Sequence, residues 1–181
     1  MRSGLCILLL LLPSFSYSAE NPYINLLQQA LDKQPPLCLG ESQWPVSITQ
    51  GGSVWVYARI AALMEAGLVT DNSKSTAKQW SLTPQGEKEF REKKDFCYGE
   101  MRVNKIEETI INNDGTVAVI FNYRIEKLPK WAQTSAIRGA YSDLDNLIMG
   151  IKNARYQADF APQAGGAMAI IGEPYQLDLF Y

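Results

Sequence analysis

Residues 97–128 read CYGEMRVNKIEETIINNDGTVAVIFNYRIEKL. The stretch divides at Asp114-Gly115, a dipeptide that tolerates the positive φ of a tight reversal. Before it, residues 97–111 alternate, with Met101, Val103, Lys105 and Glu107 on one side and Arg102, Asn104 and Ile106 on the other. After it, residues 116–128 return, with Val117, Val119, Phe121 and Tyr123 on one face. Ile120 and Ile125 give the second face partial apolar cover. Pro129 ends the return strand because it has no N–H to donate. The period of two predicts a long antiparallel hairpin, and with it an antiparallel sheet in residues 96–181.

Upstream the period changes to that of a helix. Residues 22–34 carry Ile24, Leu26, Leu27 and Leu31 near 3.6-residue spacing, capped by Asn21 and stopped by Pro35-Pro36. An extended piece follows over 38–48, limited by Pro45, and Gly51-Gly52 breaks the chain direction. Residues 54–66 form the clearest helix, with a broad apolar face of Val54, Trp55, Tyr57, Ile60, Leu63 and Met64, and Gly67 at the C-terminal cap. A short strand at Leu68-Val69, a polar loop over 71–78 and a returning strand over 79–82 lead into a helix over 84–94, entered through Thr83-Pro84.

Downstream, residues 137–151 place Leu144, Leu147, Ile148 and Ile151 at helical spacing, weakened by Gly139 and Gly150. Residues 154–160 read as a strand, 162–166 as a loop, and 175–181 as a terminal strand after Pro174. Together these give an α+β chain: a helical part over 19–95 and an antiparallel α+β part over 96–181.

Two runs carry a resemblance. Leu63-Met64-Glu65-Ala66-Gly67-Leu68-Val69, followed by Trp80-Ser81-Leu82-Thr83-Pro84-Gln85-Gly86-Glu87, resembles the second half of a winged-helix domain. That resemblance implies a helix ending on glycine, a two-strand wing and a capped helix. Taken over the whole mature chain, with such a helical front joined to a hairpin opening on Phe96-Cys97-Tyr98-Gly99 and a later Leu128-Pro129-Lys130-Trp131-Ala132, the sequence is similar to uncharacterised exported or lipoprotein-like proteins of Gram-negative bacteria. No activity comes with that resemblance. The chain lacks the cysteine that lipoprotein members carry at the cleavage point, which argues against a lipid anchor.

The first eighteen residues have the order of an export signal. Arg2 precedes the apolar run 5–12, Pro13 breaks it, and Ser16 and Ser18 stand at −3 and −1 to a cut before Ala19. The run is shorter than the roughly 20 residues that span a bilayer. Cys6 leaves with the signal. Cys38 and Cys97 remain, and an even pair in an exported chain predicts a disulfide, with two free buried thiols as the alternative. The predicted location is the periplasm.

Composition narrows the chemistry. The 181 residues are 46% hydrophobic and 20% charged, which is globular and not disordered. The net charge of −2 and the absence of histidine disfavour a nucleic-acid coat and remove His-dependent hydrolysis and His-ligated zinc. In the wing-like region Arg59, Lys74 and Lys78 are too few for a DNA reader, and Lys88, Arg91, Lys93 and Lys94 are offset by Glu87, Glu89, Glu92 and Asp95. Asp143 and Asp145 read as helix-start acids, not a calcium loop. Glu107 and Glu108 fall on opposite faces of a strand.

No nucleophile elbow or phosphate loop occurs, so no catalytic, cofactor or metal residue is assigned. Tyr175, Leu177, Leu179 and Tyr181 alternate like a barrel's closing strand, but too few long strands exist for a barrel. Trp44, Trp55, Trp80 and Trp131 are expected in cores or junctions, with one available as a partner anchor. The expected role is a soluble periplasmic binding or structural protein with an unidentified envelope partner. The alternatives are a carboxylate-dependent cell-wall hydrolase and an outer-membrane-associated assembly factor. A hydrolase would need two acids converging in a groove. An assembly factor would need an exposed apolar patch or a free strand edge.

Overall fold

A computed structural model of the chain describes residues 21–48, 52–74 and 78–177. The expected export signal, residues 1–18, lies outside the described residues. The protein is α+β.

Helix α1 (Tyr23–Leu31) starts where the Asn21 Oδ1 accepts from the Tyr23 N–H at 3.0 Å. Strands β1 (Leu37–Cys38) and β2 (Val46–Ile48) follow. Ser53 caps α2 (Val54–Glu65), and Gly67 closes it at φ +75°, a conformation glycine adopts without a Cβ penalty. Strands β3 (Val69–Asp71) and β4 (Lys78–Leu82) pair antiparallel, and β2 joins them in a three-stranded sheet of order β2-β4-β3.

The Thr83 Oγ1 then accepts from the Gly86 N–H at 3.0 Å and opens α3 (Pro84–Phe90). The same hydroxyl donates to the Gly67 carbonyl at 2.6 Å. The end of α2 and the start of α3 therefore meet at Gly67 and Thr83.

The long hairpin is β5 (Cys97–Ile111) and β6 (Val117–Glu126). A 3₁₀ turn (Trp131–Gln133), α4 (Ser135–Ala140) and α5 (Ser142–Gly150) lead to β7 (Tyr156–Pro162) and β8 (Met168–Gln176). All pairings in the five-stranded sheet β1-β5-β6-β7-β8 are antiparallel.

Two cores hold these elements. In one, the curled sheet wraps α1, which touches both β5 and β8 and buries Leu27 and Leu31 against Val117, Val119, Phe121, Ala158 and Phe160. In the other, Leu63, Leu68 and Trp80 of the wing region pack with Phe96, Tyr98, Trp131, Ile137 and Leu144. The packing interleaves the chain: α1 comes from its front and joins the sheet, while α4 comes from its back and packs on α2, with α5 against α4. The Cys38–Cys97 disulfide links opposed positions of β1 and β5.

Four local expectations are corrected. Ile106 does not face away from Met101 and Val103. Register shifts between Val103 and Lys105 and between Ile106 and Glu108 reset the alternation, and all three side chains pack under α1. Residues 137–151 are not one helix. The backbone leaves helical geometry at Tyr141 (φ −128°, ψ 86°), whose buried ring joins the core.

The last strand begins at Met168 and runs through Pro174, not after it. Proline is tolerated there because β8 is an edge strand, and the register shifts beside it where Gly172 takes φ +70°. The expected residues 178–181 lie outside the described residues. Finally, the apolar face of α2 is narrower than its sequence suggests. Val54 is 81% exposed and Trp55 75% exposed.

Candidate functional site

Two neighbouring grooves lie around the end of α1. One of about 310 Å³ is lined by Leu31, Asp32, Pro36, Leu37, Met101 and Arg102 among others. A neighbouring one of about 330 Å³ shares Pro36, Lys93 and Glu100 with it and adds Lys88, Glu92 and Lys127. Arg102 organises the first. Its Nη2 donates to Glu100 Oε2 at 2.7 Å, its Nε to Glu126 Oε2 at 3.0 Å, and its Nη1 to Asp32.

Acids do converge here, as a hydrolase would need. Glu126 is poorly suited to proton donation. Hydrogen bonds from Arg102 and Arg124 hold the Glu126 carboxyl below the usual carboxylate range, so it stays ionised at neutral pH. Arg102 in turn directs three of its five N–H donors to these carboxylates, and its charge is offset by theirs. The cluster instead ties the C-terminal end of α1 to β5 and β6.

A smaller cleft of about 70 Å³ lies where β1, α2, β5 and the α4–α5 junction meet, lined by Cys38, Arg59, Tyr98, Tyr141 and Asp143 among others. The Tyr141 O–H donates to Glu41 Oε1 at 3.0 Å, and the Arg59 guanidinium lies 5.3 Å from the centre of the Tyr141 ring. Burial, reinforced by the Asp143 charge, pushes the Tyr98 phenol up to about 12. Burial likewise raises Tyr141. Both phenols are therefore protonated and poor bases.

The other residues singled out in the sequence scatter. Asp143 and Asp145 sit in the first turn of α5, where the helix dipole favours acids, and Asp145 accepts from Arg138. Glu107 accepts from the Asn122 amide at 2.7 Å. Among the described residues no group of three His, Cys, Asp or Glu is placed to hold a metal ion. Lys78 lies over the Tyr57 ring, 5.1 Å from its centre. Trp80 and Trp131 are buried and Trp44 is partly buried. Trp55 alone of the four is exposed, beside Val54 and on the solvent side of α2 with Ala58 and Ala61.

Comparisons with protein-family models, curated proteins and solved structures found no match.

Two features escaped the sequence. The Arg102 hub had a faint signal, since Glu100 and Arg102 share a strand face, but Asp32 and Glu126 reach it only through the fold. The second is Gln28 on α1. Its Oε1 accepts from the Val103 N–H at 3.0 Å and its Nε2 donates to the Met101 carbonyl at 3.4 Å. One side-chain amide thus imitates a neighbouring strand on the edge of β5. No pattern in the sequence marks a glutamine for that task.

Proposed function

We propose that this is an exported, non-enzymatic binding protein of the cell envelope that engages a protein partner through the start of α2. The observation that carries the reading is the exposure of Trp55 and Val54. Large apolar side chains at a helix end are left in water at a cost unless something covers them, and tryptophan is over-represented among residues that dominate binding energy. In the winged-helix resemblance α2 precedes the wing. Here its outer side offers Val54, Trp55, Ala58 and Ala61 with Arg59, a surface suited to protein and poor in the cations that phosphate requires.

Export is supported by the order of residues 1–18 and by the Cys38–Cys97 bond, since disulfides persist in oxidising compartments. No helix of the described residues is long and apolar enough to cross a membrane. The outer-membrane-associated assembly factor is kept as a second reading, because the exposed Trp55 patch and an open strand edge are the features it requires. The hydrolase is set aside because Arg102 keeps the converging acids paired.

Native size in an envelope extract tests the binding role. The wild-type chain should elute well above its own mass, and Trp55→Ala should elute as the free chain with an unchanged circular dichroism spectrum. Identical elution of both proteins as free chains would overturn the reading.

A further inference from the structure

The backbone groups along the outer edge of β5 can be followed residue by residue. At its start, Cys97 and Gly99 are paired by β1. At Met101 and Val103 the Gln28 amide fills the edge. Over the next residues the two register shifts, with exposed Lys105, Glu107 and Glu108, break the edge as natural sheets do to discourage pairing. Beyond Glu108 neither device remains. Thr109, Ile110 and Ile111 are regular strand, exposed, and bordered by β6 on one side only.

The direction of their backbone groups follows from the register. The Asn112 N–H donates to the Thr116 carbonyl at 2.9 Å, so Asn112 and, by alternation, Ile110 exchange bonds with β6. Thr109 and Ile111, opposite Val119 and Val117, therefore turn their N–H and C=O groups outward. Val103, opposite Tyr123, obeys the same parity, and its N–H is the one Gln28 meets. Among the described residues, nothing hydrogen-bonds the outward groups of Thr109 and Ile111.

We infer that this end of β5 is a strand-addition site for an extended peptide carrying β-branched and basic residues. An open row of alternating N–H and C=O groups is satisfied by another extended backbone. Ile110, at 39% exposure, and Ile111, at 77%, flank the row on opposite faces and give β-branched side chains apolar neighbours. Glu108 is exposed and has no ion-pair partner among the described residues, so a cation in the added strand is favoured beside it. A second copy of this chain fits less well. In symmetric β5-to-β5 pairing the bulges and the turn at Asn112–Gly115 leave both copies only the Thr109–Ile111 segment, far less than the roughly 1,200 Å² of a stable interface. The inference goes beyond the Trp55 surface and does not depend on export.

The test uses the folded chain and a blocked synthetic hexapeptide, Lys-Val-Thr-Val-Lys-Val, titrated against ¹⁵N-labelled protein. The amide signals of Thr109 and Ile111 should move with the peptide, and a Glu-for-Lys peptide should bind more weakly. Thr109→Pro removes one outward N–H while leaving the β6 ladder intact, and should weaken binding by about tenfold or more. Thr109→Val keeps the N–H and should bind as wild type, which controls for the lost side chain, and an unchanged amide spectrum away from the edge shows that Thr109→Pro is folded. Equal binding by Thr109→Pro, or no shift at Thr109 and Ile111 up to millimolar peptide, would overturn the inference. Concentration-dependent shifts at those amides without peptide would also overturn it, by assigning the edge to a second copy.

Discussion

Substituting Gly86 by alanine should destabilise the protein although Gly86 lies within helix α3. A Cβ at Gly86 would stand 1.9 Å from the Leu68 carbonyl oxygen and 2.9 Å from its carbon. Both are backbone atoms, and the same carbonyl accepts from the Thr83 N–H at 3.0 Å. They cannot rotate aside, so α3 must lift from β3 or break the cap. Overpacking of this kind costs about 1–3 kcal/mol, more where backbone must move.

Replacing a helical glycine with alanine gains about 1 kcal/mol. The net expectation is a loss of about 2 kcal/mol, and a Tm lower by about 4–8 °C for a chain of this size. Gly139 is the control. It is exposed in α4 with nothing within 4 Å of its added Cβ, so Gly139→Ala should raise Tm by about 1–4 °C. Differential scanning calorimetry on the two variants gives both signs. A Gly86→Ala protein as stable as wild type would refute the close contact between α3 and the Leu68 backbone.

Other outcomes follow from the same geometry. Gln28→Leu should lower stability by about 1–2 kcal/mol in urea titration, because it strands the Val103 N–H. Phe160→Ala, in the core under α1, should cost about 3–5 kcal/mol by the same assay. Reducing Cys38–Cys97, which are separated by 59 residues, should cost about 4 kcal/mol on the chain-entropy account and shift the urea midpoint down. On acidification, Glu126 stabilises the fold above its unfolded pKa, and that contribution is lost as pH falls through its lowered folded value. Arg102→Gln should flatten that part of the pH profile. In alkali, Tyr98 is raised to about 12 when folded, so its contribution is complete below 10 and lost as pH climbs towards 12. Stability measured by urea titration across that interval should therefore fall.

The hairpin was legible because alternation and Asp114-Gly115 act locally, and the observed β5 spans residues 97–111 as the pattern requires. The bulges were not, because a register shift depends on what the partner strand buries. Lys105 and Glu107 gave no sign that Ile106 would turn inward. The break at Tyr141 was hidden for a similar reason: helical spacing at Leu144, Leu147 and Ile148 is genuine, but the buried Tyr141 ring stops the preceding helix. The two proposed surfaces were the least legible. Trp55 belongs to an apolar run, and only tertiary packing decides that Ile60 and Leu63 face the core while Trp55 faces water. Gln28 and the edge of β5 are brought together by the docking of α1, which residues 22–34 cannot announce.

The measurement that bears most directly on the account is the intact mass of the protein recovered from a periplasmic extract, alkylated with and without prior reduction. The account predicts a mass for residues 19–181, with two cysteines alkylated only after reduction. A full-length chain found in the cytoplasm with its thiols open to alkylation would contradict it.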